Sequence, residues 1–359
     1  MEKQADRQRI NDLIARIEPL DVEAMEQARQ RQENLTKPAG SLGRLEKLAI
    51  QIAGIQRRAL PGIEQKVVIV MAGDHGVTVE GVSAYPSEVT PQMVQNFLHG
   101  GAAINALARQ ANARVVIVDI GVASELHHPD LVSRKVAPGT ANMAQGAAMT
   151  EAQMLTAINV GIDILQAQQG VQLVATGDMG IGNTTASSAI TADLLQLPVS
   201  QVTGRGTGLN DAQLDHKIVV IERALAINQP EPQNPLDVLM KVGGLEIAGL
   251  VGVILAAAAE RIAVVIDGFI SGAAALVAAR LCPAACQYLI AGHTSVEQGH
   301  GHILRALELA PLLNLGLRLG EGTGAVLAMH LIEGALHTHN EMLTFAEAGV
   351  SNREEEEKN

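Results

Sequence analysis

The sequence has little aromatic character, since its 359 residues include no Trp, two Tyr and three Phe. Sites for single-stranded nucleic acid stack bases on aromatic side chains and neutralise phosphates with basic ones. This chain instead carries a net charge of −12, so nucleic acid is not an expected partner. Part of that charge is the run of glutamates at residues 354–357, which we interpret as a solvated tail.

Cysteines and long apolar runs are also scarce. No second pair and no His at ligand spacing accompanies Cys282 and Cys286, which argues against a zinc site and favours two buried thiols. The longest apolar stretch, residues 247–259, is shorter than the roughly 20 residues that cross a bilayer, so it predicts a buried helix and no membrane partner. The first residues lack the apolar core of an export signal, and we expect a cytoplasmic protein.

What the sequence does contain is an alternation of short β-branched runs with longer helical segments, which is typical of a parallel sheet with helices on both faces. A Gly-containing loop with polar residues follows each run, and such loops gather at the carboxyl edge of an open parallel sheet. Ser41, Thr90 and Thr150 are predicted to cap helices. The predicted strands are residues 66–71, 114–120, 171–176, 263–267 and 288–291.

Helical patterns outside this alternation occupy both ends of the sequence. Residues 10–17 and 21–34 precede it, and residues 325–337 and 341–348 follow it. We predict that these segments form a small helical domain together, beside one main α/β core.

The most informative motif is Arg-Leu-Gly-Glu-Gly-Thr-Gly at residues 318–324, which places Glu321 between two glycines. The glycines leave space beside the carboxylate for a flat ligand. Partial burial of such a glutamate raises its pKa toward the range of a general base. The position equally suits a glutamate that only stabilises the N-terminus of a following helix, so the motif alone leaves both interpretations open.

Two further Gly-rich loops are typical of anion sites. Residues 177–185 follow a predicted strand and open a helix, so backbone amides, an amide side chain and two hydroxyls are available to a phosphate. This loop has neither Walker nor GxGxxG spacing. Residues 203–208 contain Arg205 and precede Lys217, which supplies cations beside backbone amides. Helix capping and a flexible surface loop are the alternatives for the first and second loop.

The histidines give weaker signals. Asp74 and His75 at a predicted strand end are compatible with a metal or acid–base pair, or with a hydrogen bond between them that fixes the loop. His293, His300 and His302 are close in sequence but lack a carboxylate at a recognised ligand spacing, so we expect no zinc there.

Five ordered landmarks resemble one known family, that of nicotinate-nucleotide:5,6-dimethylbenzimidazole phosphoribosyltransferase. The resemblance extends from about residue 10 to about residue 351 and implies a Rossmann-like α/β fold with a six-stranded parallel sheet, and a homodimer. The landmarks are residues 37–46, 73–77, 177–185, 267–271 and 319–325.

The resemblance also implies a division into domains. Residues 36–324 are expected to form a large domain that binds the nucleotide and the base. Residues 1–35 and 325–350 are expected to form the small helical domain, and residues 351–359 an acidic flexible tail.

The implied reaction moves phosphoribosyl from nicotinate mononucleotide to 5,6-dimethylbenzimidazole with inversion at C1′. It yields nicotinate and α-ribazole 5′-phosphate, a precursor of the cobalamin lower ligand. Glu321 matches the family's general base, and Lys217 matches a lysine near the substrate phosphate. Since no pyrophosphate leaves, we expect no metal and no cofactor. The other residues expected to bind substrate are Gly180, Gly182, Asn183, Thr184, Thr185, Gly204, Arg205, Gly206 and Leu319.

Three predicted substrate-binding residues depart from the family pattern. Asp178 stands where relatives typically carry Glu, so its carboxylate is one methylene shorter. Tyr85 and Met93 fall where some relatives have Ser and Gln near the base pocket, and they are expected to alter which azole or phenolic base is preferred.

Two other function classes fit part of the pattern. An NAD-dependent oxidoreductase suits a parallel sheet but lacks the GxGxxG loop and the acidic residue that follows it. A non-catalytic nucleotide sensor would use the same loops, with Glu321 only capping a helix.

Overall fold

The computed structural model describes residues 2–206 and 208–351. Within these residues, six strands form one fully parallel sheet in the order β3-β2-β1-β4-β5-β6. This is the strand order of Rossmann-type sheets. The order in which the chain adds strands reverses between β1 and β4, although all strands stay parallel. The strands are β1 (Lys66–Gly73), β2 (Arg114–Gly121), β3 (Leu131–Ser133), β4 (Leu173–Met179), β5 (Ala263–Ile266) and β6 (Leu289–Ala291).

The predicted fold class and all five located strands are confirmed. Every residue of β1 is buried, as expected of a central parallel strand covered on both faces. The strand that the sequence analysis did not locate is β3, which has only three residues at the sheet edge and no buried member.

Helices cover both faces of the sheet. Gly249 lies against Met71 of β1, and Gly322 lies against Val68 of the same strand. These two side chains point to opposite faces because they are three residues apart in an alternating strand. The helices are α1 (Glu2–Ala15), α2 (Val22–Asn34), α3 (Arg44–Gln56), α4 (Val89–Leu98), α5 (Ala103–Gln110), α6 (Glu151–Gln166), α7 (Asn183–Leu195), α8 (Val199–Val202), α9 (Asp211–Asn228), α10 (Pro235–Val242), α11 (Leu245–Ala259), α12 (Phe269–Leu281), α13 (Gln298–Ala306), α14 (Thr323–Glu341) and α15 (Phe345–Ala348).

The apolar stretch at residues 247–259 forms most of α11, which is buried over nearly its whole length and packs on α6. This confirms the prediction of a buried helix. Across the described residues, no helix combines the length and apolar character needed to span a bilayer.

One of the three predicted helix caps is confirmed. Thr150 accepts a hydrogen bond from the Gln153 amide in a capping box at the start of α6. The prediction for Ser41 is wrong, because Gly43 precedes α3 and no side chain caps that helix. The prediction for Thr90 is also wrong, because α4 begins at Val89; Thr90 Oγ1 instead accepts a hydrogen bond from the Ile181 amide at 3.1 Å.

Helix α2, near the start of the chain, is linked to α14 and to the residue before α15, near its end. Leu35, just after α2, forms an antiparallel bridge with Thr344, and the Arg31 side chain donates to carbonyls at the end of α14. Helix α3 packs on both α2 and α14, whereas α1 packs on α6 and α11. The domain boundaries at residues 35/36 and 324/325 stay a prediction, and the predicted tail, residues 351–359, lies outside the described residues except for Ser351.

Candidate active site

A crevice lies at the carboxyl edge of the sheet, where β4, β5 and β6 end. The loop after β4, the start of α7, the start of α12 and the loop before α14 form its walls. Its lining residues are Asp178, Met179, Gly180, Ile181, Asn183, Thr184, Gly206, Gly268, Phe269, Ile270, His293, Ser295, Glu297, Arg318, Leu319 and Gly320.

The backbone of the loop before α14 is left-handed at three consecutive residues. Gly320, Glu321 and Gly322 have φ values of 82°, 64° and 91°. Glycine adopts this conformation freely, but a glutamate held there costs on the order of 1–3 kcal/mol. The fold therefore holds Glu321 in a conformation that a free chain would avoid.

Two contacts fix this loop. Gly177 of β4 lies directly beneath it, and a Cβ added there would be 2.5 Å from the Glu321 carbonyl oxygen. Asp267, at the end of β5, accepts hydrogen bonds from the Ala325 amide at 2.9 Å and the Gly322 amide at 3.3 Å. Because Asp267 caps α14 from a neighbouring strand, it anchors the loop that carries Glu321.

The Glu321 side chain is 4% exposed and points toward the start of α5, where Oε2 accepts a hydrogen bond from the Ile104 amide at 3.2 Å. Burial raises the pKa of Glu321 above its ordinary value, the Ile104 amide opposes the rise, and the nearby Asp267 charge adds to it. A raised pKa makes this carboxylate a stronger base, as proton abstraction requires.

Asp178 lies beside this loop. Its Oδ2 accepts a hydrogen bond from the Asn183 amide group at 2.9 Å, and its backbone carbonyl accepts from the Glu321 amide at 3.3 Å. Burial and the charges of Asp267, Glu246 and Glu321 raise the pKa of Asp178 well above its ordinary value. Asp178 lines the crevice and Asp267 and Glu321 lie beside it, and we call these three residues the carboxylate end.

The other end is cationic. Lys217 of α9 is fully buried, and its Nζ donates to Thr184 Oγ1 at 2.8 Å, on the first turn of α7. A Cβ added at Gly206 would lie 3.5 Å from the same Nζ. Burial lowers the pKa of Lys217 to about 8, although Glu297 opposes the shift. An ammonium group, backbone amides and a helix N-terminus together suit a phosphate.

The guanidinium groups of the two arginines near this end point to different places. Arg205 forms an ion pair with Asp211 and donates to the Leu209 carbonyl at 2.8 Å, so its guanidinium is engaged by the start of α9. Arg318 donates to the Gly206 carbonyl at 3.1 Å and lines the crevice. We call Thr184, Gly206, Lys217, Glu297 and Arg318 the ammonium end.

The remaining predicted substrate-binding residues are spread over four surroundings. Gly180, Asn183 and Leu319 line the crevice, and Leu319 is 57% exposed. Gly182 precedes α7, and Thr185 is fully buried in its first turn. Tyr85 is 53% exposed in the loop before α4, whereas Met93 packs partly buried against the core from α4 itself. Gly204 lines an adjoining crevice with Arg205.

Asp74 and His75 each bond to a residue that is distant in the sequence. His75 pairs with the buried Glu246, with Nε2 and Oε1 2.5 Å apart, and Asp74 accepts from the Ala123 amide, so the alternative of a hydrogen bond between Asp74 and His75 is wrong. Burial lowers the pKa of His75, but the charges of Glu246 and Asp74 outweigh it and leave the pKa raised. Among the described residues, no group of three or more His, Cys, Asp or Glu side chains is arranged to hold a metal ion.

Comparison with known proteins gives the family. A family model described as phosphoribosyltransferase matches residues 17–350. This chain belongs to that phosphoribosyltransferase family.

Individual members are close relatives. The nicotinate-nucleotide–dimethylbenzimidazole phosphoribosyltransferase of Chloroflexus aggregans is 60% identical over 349 residues, which cover 96% of this chain and 99% of that relative. The protein of the same name from Halalkalibacterium halodurans is 54% identical, covering 96% and 97% of the two chains. The crystal structure of nicotinate-nucleotide–dimethylbenzimidazole phosphoribosyltransferase from Thermus thermophilus is 48% identical, has a TM-score of 0.88 and covers 93% of this chain and 100% of that one.

Sequence reasoning missed three residues in or beside the crevice of this phosphoribosyltransferase. Arg318 stands inside the most informative motif, yet only its contact with Gly206 shows where it acts. Asp267 stands inside a landmark, and its position at the end of a predicted strand was a usable signal. Glu297 follows β6 by six residues, and nothing in its sequence surroundings marks it.

Proposed function

We infer that this phosphoribosyltransferase moves the phosphoribosyl group of nicotinate mononucleotide to 5,6-dimethylbenzimidazole, and so contributes to the lower ligand of cobalamin. The observation that carries the inference is the buried Glu321, held left-handed directly after Leu319 and Gly320 of the crevice wall, together with Lys217, which donates to Thr184 in the same wall. The shared name of the relatives supports the same pair of substrates.

The proposed chemistry follows from the two ends. Lys217, Thr184, the Gly206 loop and the start of α7 hold the nucleotide phosphate, so that C1′ of the ribose faces the carboxylate end. One nitrogen of the benzimidazole attacks C1′ opposite the pyridinium ring. Glu321 accepts the proton from the other nitrogen as the new bond forms. The C1′–N bond to nicotinate breaks, its electron pair neutralises the pyridinium charge, and configuration inverts.

Asp178 is proposed to support this step as a neighbouring acid. Burial, and after it the charges of the neighbouring carboxylates, raise the pKa of Asp178, and a carboxyl that holds its proton adds no further repulsion to the bound phosphate. Tyr85 and Met93 are proposed to shape the base pocket, and Leu319 to cover the flat ring.

The deciding experiment incubates the purified chain with nicotinate mononucleotide and 5,6-dimethylbenzimidazole in EDTA, and follows nicotinate and α-ribazole 5′-phosphate by liquid chromatography and mass spectrometry. Equal amounts of both products are expected. A folded protein that binds the nucleotide but releases neither product would favour the sensor alternative. The oxidoreductase alternative has no support from the relatives, whose names describe a transferase.

The homodimer and the cytoplasmic location stay predictions. Light scattering coupled to size-exclusion chromatography tests the first, with a mass near twice 37.6 kDa expected. Fractionation of the source cells tests the second.

A further inference from the structure

Glu297 lies in the crevice without a role in the chemistry described above. It follows β6, lines the crevice and the adjoining one, and is 7% exposed. Its Oε2 rests on the backbone of the second Gly-rich loop, since a Cβ added at Gly204 would be 2.0 Å from this atom. Within the described residues, Oε2 has no hydrogen-bond partner.

Glu297 has cationic neighbours, but its carboxylate lacks a hydrogen-bond donor at Oε2. Burial raises the pKa of Glu297, and the Lys217 ammonium, the Gly206 backbone amide and the Arg318 guanidinium each oppose the rise. A buried acceptor without a donor costs about 1–3 kcal/mol, and more if it is charged. A ligand in the crevice that brings a hydrogen-bond donor to the Glu297 carboxylate is therefore favoured.

Few groups of the nucleotide can donate a hydrogen bond to Glu297. The phosphate and the nicotinate carboxylate are anions and repel a carboxylate, and the substituted pyridinium nitrogen carries no hydrogen. The ribose hydroxyls are the donors that remain. They lie between the phosphate and C1′, as Glu297 lies beside the proposed phosphate donors in the same crevice.

We propose that Glu297 accepts a hydrogen bond from one ribose hydroxyl of the nucleotide and thereby helps this site select a ribosyl over a deoxyribosyl phosphate. The inference rests on the proposed function for the identity of the nucleotide. It makes Glu297 a substrate-binding residue, whereas Lys217 provides the charge for the phosphate.

The test is a cycle of two proteins and three ligands. Isothermal titration calorimetry measures binding of nicotinate mononucleotide and its 2′-deoxy and 3′-deoxy analogues to the wild type and to Glu297→Gln. For the wild type, loss of one hydroxyl is expected to weaken binding about tenfold or more, as for a hydrogen bond to a charged group. The same loss is expected to shrink to about threefold in Glu297→Gln, whose neutral acceptor is weaker.

Two further variants, inorganic phosphate as a fourth ligand, and a check of folding make the result decisive. Glu297→Ala removes the acceptor and should abolish the discrimination, and Glu222→Gln on the exposed side of α9 should keep it. The proposal would be overturned if each deoxy analogue lost the same affinity, relative to nicotinate mononucleotide, in Glu297→Gln as in the wild type. Equal weakening of all ligands, inorganic phosphate included, would overturn it too, because Glu297 would then only brace the Gly206 loop. Circular dichroism checks that each variant is folded.

The outcomes separate this inference from the proposed function. Turnover of nicotinate mononucleotide without coupling between Glu297 and a hydroxyl removes only the role of Glu297. Coupling without turnover keeps the ribose contact and removes the transfer reaction. A wild type that does not bind the nucleotide removes both.

Discussion

The two ends of the crevice experience the same burial with opposite results. At the carboxylate end, burial raises the pKa of Asp178 and Glu321, and like charges add to the rise. At the ammonium end, burial lowers the pKa of Lys217 to about 8, and the opposite charge of Glu297 limits the fall. Low dielectric surroundings disfavour any charge. A base benefits from that, because it is readier to take a proton, whereas a phosphate-binding lysine needs its ligand to restore the charge.

The comparison sets opposite pH limits. Glu321 accepts a proton only when ionised, so activity should fall as pH falls through its raised pKa, at a higher pH than its ordinary value of 4.5 implies. Lys217 holds the phosphate only when protonated, so nucleotide affinity should fall as pH rises through about 8. The working range lies between these limits.

The largest effect is expected at the carboxylate end. Glu321→Gln keeps the shape of the side chain but removes the base, so kcat should fall by about 10²–10⁴-fold. The KM for nicotinate mononucleotide should change little, because the ammonium end is intact. Steady-state kinetics with product chromatography measures both, and Glu222→Gln is the matched control. Full activity in Glu321→Gln would exclude the carboxylate from the reaction.

The ammonium end should respond in affinity instead. Lys217→Ala removes a charge-assisted hydrogen bond and should weaken nucleotide binding by about 10–100-fold. Lys217→Arg keeps a charge that does not titrate in this range, so its affinity should stay constant from about pH 7 to about pH 9, where that of the wild type falls. Calorimetric titration at several pH values measures this. A wild-type affinity that is constant over the same range would contradict the lowered pKa.

A third change breaks the carboxylate end through the backbone. Gly177→Ala places a Cβ against the Glu321 carbonyl, and such overpacking should lower the free energy of unfolding by about 1–3 kcal/mol and displace the base. Gly146→Ala is the matched control, because a Cβ there meets nothing within 4 Å. Thermal unfolding and kcat are measured together. If kcat is unchanged while stability falls, the loop tolerates displacement and the left-handed Glu321 is not required.

The smallest effect is a shift in the acid limit. Asp267→Asn removes one like charge near Glu321, so the pKa of Glu321 should fall and the acid limb of kcat should move to lower pH by about one unit or less. The pH–rate profile measures it. A shift to higher pH would mean that Asp267 mainly positions the loop through the Gly322 and Ala325 amides, and that this role outweighs its charge.

Much of the fold could be predicted because burial on both faces leaves a local signal. The central strands are continuous apolar runs, and α11 is apolar on every side. The edge strand β3 could not be located, because three residues with no buried face carry no pattern. Ser41 and Thr90 are good capping types at plausible positions, but the actual helix starts depend on tertiary contacts, such as the bond between Thr90 and Ile181.

The residues of the candidate site also divide into those that local sequence marks and those that only the fold brings together. Glu321 and Lys217 could be selected because glycines and cations cluster near them in sequence. Glu297 and Asp267 act across the sheet edge, on loops more than 50 positions away, so only the topology brings them to their partners. Local sequence also misassigned the partner of His75, since Glu246 is 171 positions away.

The link between α2 and the end of α14 bears on how the chain folds. Arg31 bonds to His339 and Met342 across 308 and 311 positions. Closing so long a loop costs about 5 kcal/mol of chain entropy if nothing else is formed. This contact should therefore form late in folding, once the sheet has already brought the two segments near each other. Until then the start of α14, and Glu321 with it, would depend on the contacts with Asp267, Gly177 and Ile104 at the sheet edge.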